Sequence, residues 1–85
     1  MRLDKFLQVS RLVRRRTLAN SLCRAGRVAV NSRAAAPSTP VRPGDVLTVE
    51  VGGRQIRARV LAAPEGHRRP SEVEWVEMLE GAPVE

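Results

Sequence analysis

An α+β fold, with two or three short helices covering one face of a small and mainly antiparallel sheet, is what these 85 residues predict. Three observations carry that expectation. Apolar residues recur at helical spacing up to Ala25, and the period then switches to two from Arg27 onward. Further on, a two-residue Gly52-Gly53 turn joins the two clearest alternating segments.

The first helix, within Met1 to Val9, follows from Leu3, Phe6 and Leu7 at i, i+3, i+4, which leaves Arg2, Lys5 and Gln8 off the buried stripe. Asp4 falls in its first turn, where a carboxylate favours the positive end of the helix macrodipole. Leu18, Leu22 and Ala25 form a second stripe, with Ala19 and Cys23 beside it. Thr17 is the expected N-cap, with a start one or two residues earlier left open, and Gly26 suits the C′ position, where positive φ is wanted. Cys23 reads as a small core hydrophobe. Val28 and Val30 then alternate with Arg27, Ala29 and Asn31 in a short strand. Asn31-Ser32 turns the chain into a weaker strand, Arg33-Ala34-Ala35.

A proline-bearing loop from Pro37 to Gly44 ends in the turn Pro43-Gly44-Asp45. The Gly52-Gly53 turn sets a register between Val46–Val51 and Arg54–Leu61 in which Val49 opposes Ile56, Leu47 opposes Ala58 and Thr48 opposes Arg57. Arg57 and Arg59 fall on the polar face, where solvation and cross-strand pairing account for them. Ser71-Glu72-Val73-Glu74 satisfies a capping box, so a short helix with Trp75 as a packing anchor is expected there, although the alternation of Val73, Trp75 and Glu77 also fits a strand. Residues 81–85 are expected to fray. The expected organisation is an RNA-binding domain over 1–63 and a C-terminal extension over 64–85.

The charge is uneven along the chain. Residues 1–33 hold nine Lys+Arg and one acid, Asp4, whereas residues 34–85 hold six basic and eight acidic groups. Arg11, Arg14, Arg15 and Arg16 lie within six positions, and Arg2, Lys5, Arg24, Arg27 and Arg33 add to them. A positive face on a near-neutral scaffold is the electrostatic footprint of a polyanion binder. Phe6 and Trp75 are the only aromatics, and both fall on apolar stripes, so the exposed stacking platforms that read single-stranded bases are missing. Structured RNA, met by shape and phosphates, is therefore favoured. Arginine suits it, since its planar fork gives two hydrogen bonds to one phosphate. A DNA-reading helix-turn-helix is the alternative, but its second helix would offer only Asn20 and Arg24 on the exposed face.

Other classes find little support. No apolar stretch approaches the about 20 residues of a membrane span, and the start lacks the apolar core of a signal peptide, so a cytoplasmic, membrane-free protein is expected. One cysteine and one histidine, His67, make neither a disulfide nor a zinc set, and no cofactor or metal is expected. No nucleophile–base pair or phosphate-cradling glycine loop is present, which points to a non-catalytic role.

Arg2-Leu3-Asp4, Arg16-Thr17-Leu18-Ala19, Leu22-Cys23-Arg24-Ala25-Gly26-Arg27-Val28-Ala29-Val30-Asn31 and Pro43-Gly44-Asp45 occur in order with the usual gaps. Over residues 1–61 this resembles the RNA-binding domain named after small-subunit ribosomal protein four, the S-four domain. The resemblance implies the αL motif, short helices packed on a small bent sheet. Within the family, Arg11 to Ala19 is similar to the single-domain RqcP (YabO-type) proteins. That similarity implies a factor of bacterial ribosome-associated quality control, contacting large-subunit rRNA and tRNA on large ribosomal subunits that carry peptidyl-tRNA. It also implies RqcH, which adds alanines to the stalled chain, as a partner, and a monomer away from the ribosome. Arg2 and Arg16 are carried over as RNA contacts, Lys5 and Arg15 as helpers, and Asp4 as organiser of the first helix. The heat-shock fifteen-kilodalton protein, a recycling factor for stalled large subunits, is the near relative; its long basic tail is expected to be missing from a chain ending at Glu85. An accessory domain of an RNA-modifying enzyme and a constitutive ribosomal component are the remaining alternatives. Two positions depart from the wider family: Arg15 stands where serine is preferred, and Asn31-Ser32 where Asn-Gly is usual.

Overall fold

The computed structural model describes residues 1–64 and 72–84. Seven elements follow one another: α1 (Leu3–Val9), α2 (Arg16–Arg24), β1 (Val28–Val30), β2 (Arg33–Ala34), β3 (Val46–Val51), β4 (Arg54–Val60) and β5 (Val76–Glu80). The strands form one antiparallel sheet in the order β2-β1-β3-β4-β5, and the two helices close over one of its faces. The α+β architecture is the expected one.

The β3–β4 register matches the expected pairing at all three positions, Val49 with Ile56, Leu47 with Ala58 and Thr48 with Arg57. Gly52 and Gly53 both take positive φ, +56° and +75°, as a type I′ hairpin turn requires. Asn31 and Ser32 adopt the same turn, at 51° and 70°, without a glycine. Asn31 offsets part of that strain with its side chain. Its Nδ2 donates to Asp45 Oδ1 at 2.9 Å, and its Oδ1 accepts from the Val46 amide at 2.9 Å, tying the turn to the start of β3.

Both helices end on a residue with left-handed φ. After α2, Gly26 sits at φ 74°; its amide donates to the Cys23 carbonyl and the Arg27 amide to the Leu22 carbonyl, the two bonds of a Schellman cap. After α1 the same place is held by Arg11 at φ 64°, which sequence reasoning had placed in a plain basic run. Leu12 and Val13 drop into the core, 1% and 0% exposed, between the exposed Arg11 and Arg14. Thr17 is not the N-cap: α2 begins at Arg16 with Arg15 as N-cap, the start two residues earlier that the sequence left open, and no side chain caps it.

The C-terminal stretch departs most from expectation. Val76–Glu80 is a strand paired with β4, not part of a short helix. Ser71, which would open the capping box, lies outside the described residues, as do His67 and Glu85. The alternation of apolar and acidic residues wins over the helical spacing because β4 offers an open edge and Arg59 a partner: Arg59 Nη1 meets Glu77 Oε1 at 2.6 Å. Residues 81–84 are not frayed either. Val84 forms a parallel bridge with Val13, donating to the Leu12 carbonyl and accepting from the Arg14 amide. Trp75 does anchor the packing, edge-on to Phe6 with ring centroids 5.8 Å apart.

Replacing Trp75 removes a buried ring from the junction of α1 with the segment leading into β5. Trp75→Ala is expected to lower the unfolding free energy by about 3 to 5 kcal/mol, read from urea denaturation followed by far-UV circular dichroism.

Candidate nucleic-acid interface

The site forms where the start of α1 meets the start of α2. Two orphan amides at the N-terminus of α1 are satisfied by the proline-bearing loop, Leu3 by the Thr39 carbonyl and Asp4 by that of Pro37. This fixes the first turn and buries Asp4, a charged residue only 2% exposed. Its carboxylate is fully employed. Oδ1 accepts from Arg2 Nε at 3.1 Å, the Lys5 amide at 2.8 Å and Arg16 Nη2 at 3.5 Å; Oδ2 accepts from Arg2 Nη2 at 3.2 Å and Asn20 Nδ2 at 3.3 Å. Asn20 in turn accepts from Arg24 Nε at 2.7 Å. One buried anion thus gathers Arg2 and Arg16 and, through Asn20, reaches Arg24.

Burial works against the ionised form of Asp4. The hydrogen bonds from Arg2, Asn20 and the Lys5 amide, with the charge of Arg16, outweigh it and hold the carboxyl below its ordinary value of 3.8. The negative charge stays within the protein, while the arginines do not: the side chains of Arg2 and Arg16 are 52% and 47% exposed. A single carboxylate shared by two guanidiniums orients both and neutralises at most one. Burial, with the Asp4 charge adding to it, pushes the Cys23 thiol up to about 11, so the lone cysteine is an inert core residue.

The nine sequence-predicted basic residues are all exposed, but they are not equally placed. Arg2, Arg16 and Arg24 share the Asp4–Asn20 cluster. Lys5 contributes its amide to that cluster and carries its side chain outward. Arg14 and Arg15 lie in the connection between the helices and make no side-chain hydrogen bond or ion pair with the described residues. Arg11 caps α1, Arg27 follows Gly26, and Arg33 stands on the edge strand β2; among the described residues no side-chain hydrogen bond or ion pair links these three to the cluster. Gly26 ends α2 at the edge of this cluster, at the C′ position expected of it. Asn20 was missed as a member of the site. Its sign in the sequence is the spacing Arg16, Asn20, Arg24, which sets three hydrogen-bonding side chains along one side of a helix.

The family model described as the S4 domain matches residues 1–47. The RQC P-site tRNA stabilizing factor of Bacillus subtilis (strain 168) is 50% identical over 60 residues, 71% of this chain and 70% of that protein. The protein of the same name from Halalkalibacterium halodurans is 38% identical over 84 residues, 99% of this chain and 96% of its own length. Among solved structures, trimeric Vibrio cholerae Heat Shock Protein 15 superposes with a TM-score of 0.77 at 26% identity, covering 92% of this chain and 80% of that one.

Two outcomes follow from the geometry. Because Asp4 binds its proton more weakly when folded, its contribution to stability is complete above about pH 4 and is lost as pH falls through the lowered value. Asp4→Asn should cost about 2 to 4 kcal/mol at neutral pH and flatten the acid limb of a stability-against-pH curve taken by chemical denaturation. Arg11→Gly should relieve the left-handed strain at the end of α1 and raise stability by about 1 kcal/mol, read as a higher melting temperature.

Proposed function

The chain belongs to the S4 domain family, and on that footing we propose that it is a non-catalytic RNA-binding factor of bacterial ribosome-associated quality control. It binds cytoplasmic large ribosomal subunits that still hold peptidyl-tRNA, contacts large-subunit rRNA and tRNA together, and assists alanine tailing by RqcH. It is a monomer away from the ribosome.

The observation that carries this reading is the Asp4 cluster. Non-specific polyanion binding needs only loose positive charge, whereas here a buried carboxylate fixes where Arg2 and Arg16 point. Arg2 and Arg16 are the primary phosphate contacts. Lys5, Arg14, Arg15 and Arg24 extend them, and Arg11, Arg27 and Arg33 add charge at the periphery. Relatives named for P-site tRNA stabilization, one of them aligned over 99% of this chain, supply the ribosomal setting. The likeness to Heat Shock Protein 15 supports a second reading, a recycling factor for stalled large subunits. Both place the same arginines on large-subunit RNA, and they part on whether alanine tailing depends on the protein.

Arg16→Glu is expected to abolish co-sedimentation with large subunits, while Arg57→Glu, on the far face of the sheet, leaves it intact. Equal losses would mean diffuse attraction rather than a site. With about five arginines on phosphates, log K should fall against log salt with a slope of roughly −3 to −5. Equal occupancy on stalled and unstalled subunits would remove the quality-control role and leave a general ribosomal component.

A further inference from the structure

Beside the Asp4 cluster lies a shallow open depression of about 470 Å³, lined by Asp4, Arg16, Thr17, Asn20 and Ser21. Ala19, Leu22 and Cys23 turn the other side of α2 into the core. Thr17, Asn20, Ser21 and Arg24 recur at i, i+3, i+4, i+7, so they form one outward stripe along the helix. Arg24 ends the stripe and Arg16 adjoins its start, so neutral hydrogen-bonding groups lie between two charges. Eight residues separate Arg16 from Arg24, which at 1.5 Å per residue puts them about 12 Å apart along the axis.

The chemistry of the middle is specific. Thr17 and Ser21 are exposed, and their hydroxyls make no hydrogen bond with the described residues. A hydroxyl both donates and accepts, and Asn20 keeps a second amide N–H beyond the one given to Asp4. Asp4 on the floor takes five hydrogen bonds from the protein, so it presents no free acceptor to a ligand. A phosphate offers acceptors only and is better met by the flanking guanidiniums. The complement of a donor–acceptor strip between two cations is a row of ribose hydroxyls between two phosphate backbones.

We propose that α2 lies across the minor groove of a double-stranded RNA segment, with Thr17, Asn20 and Ser21 bonding ribose 2′-hydroxyls and Arg16 and Arg24 holding phosphates on opposite sides. The inference rests on the RNA-binding reading above and names the form of RNA. A-form RNA has a wide, shallow minor groove that displays its 2′-hydroxyls. The minor groove of B-DNA is only about 6 Å wide and has no such hydroxyl, so a duplex of DNA fits neither the span nor the chemistry. Asn20 is then a positioning residue as well as a contact, since the same amide that faces the groove holds Arg24.

The test uses the full chain, an RNA hairpin, the DNA hairpin of the same sequence and a single-stranded RNA of the same composition, with affinities from fluorescence anisotropy at fixed ionic strength. The unmodified chain should favour the RNA hairpin over both others. Thr17→Val with Ser21→Ala should weaken RNA-hairpin binding by about 3- to 30-fold, leave DNA-hairpin binding unchanged and keep the salt slope, because the phosphate contacts remain. Ser21→Ala alone, at an exposed position, gives a smaller loss of the same pattern and guards against a folding defect at Thr17. Equal affinity for the RNA and DNA hairpins, preference for the single strand, or equal losses on both hairpins would overturn the groove assignment. If the chain still binds large subunits in that case, the general RNA-binding function stands. If it binds neither hairpins nor subunits, both fall.

Discussion

The buried carboxylate of Asp4 is the constraint on which the rest depends. An ionised group taken out of water costs several kcal/mol unless its lone pairs are filled, and in this chain they are filled from three directions. The Lys5 amide comes from its own helix, Arg2 from the residue that precedes that helix, and Arg16 and Asn20 from α2. The packing of α1 against α2 and the aim of two arginines are therefore one arrangement, since neither helix can shift without stranding a buried charge. Half-exposed surface ion pairs usually contribute little to stability. Their value here is geometric: the guanidiniums are held at a stated place while about half of each side chain remains open to a ligand.

Much of this was legible in the sequence, because its strongest signals are local. A Gly-Gly turn between alternating segments leaves one low-cost register, and a glycine after the second apolar stripe marks the helix end; both hold in the structure. The gathering of Arg2, Arg16 and Arg24 was legible as charge but not as geometry, since the carboxylate that gathers them lies 12 residues from Arg16 and 16 from Asn20. The misses share a cause. Leu12 and Val13 carry no periodic signal of their own inside the arginine run, and the partner that bridges to them, Val84, returns from far along the chain. The stretch after Trp75 carried helical and strand patterns at once. Pairing with the open edge of β4 decided it, and no local pattern reports an open edge. Arg11 concealed a cap because arginine stands where glycine is the usual sign.

Charge is divided between the faces in a way that suits one sided binding. On the sheet, Arg59 is matched by Glu77 and Arg57 lies opposite Glu80, so that surface is close to neutral in local pairs. On the helical side Asp4 is buried and saturated, while Arg2, Lys5, Arg14, Arg15, Arg16 and Arg24 are exposed. A polyanion approaching from any direction is steered toward the second face. Fourteen of the fifteen cations are arginine. The planar fork can give one edge to Asp4 and keep other N–H groups for a phosphate, which the point charge of a lysine does less well.

The return of Val84 to the arginine run bears on affinity as much as on stability. Ordering a long side chain and its backbone on binding costs about 0.5 to 1.5 kcal/mol for each one immobilised, and a flexible basic loop would meet that cost several times over. Leu12 and Val13 anchor this connection in the core from within, and Val84 clamps it from outside through the Leu12 carbonyl and the Arg14 amide. The backbone that carries Arg11, Arg14, Arg15 and Arg16 is thus set before any ligand arrives. A folded RNA, itself nearly rigid, is best met by a surface that is equally fixed, because neither side then loses freedom when phosphates and guanidiniums come into register.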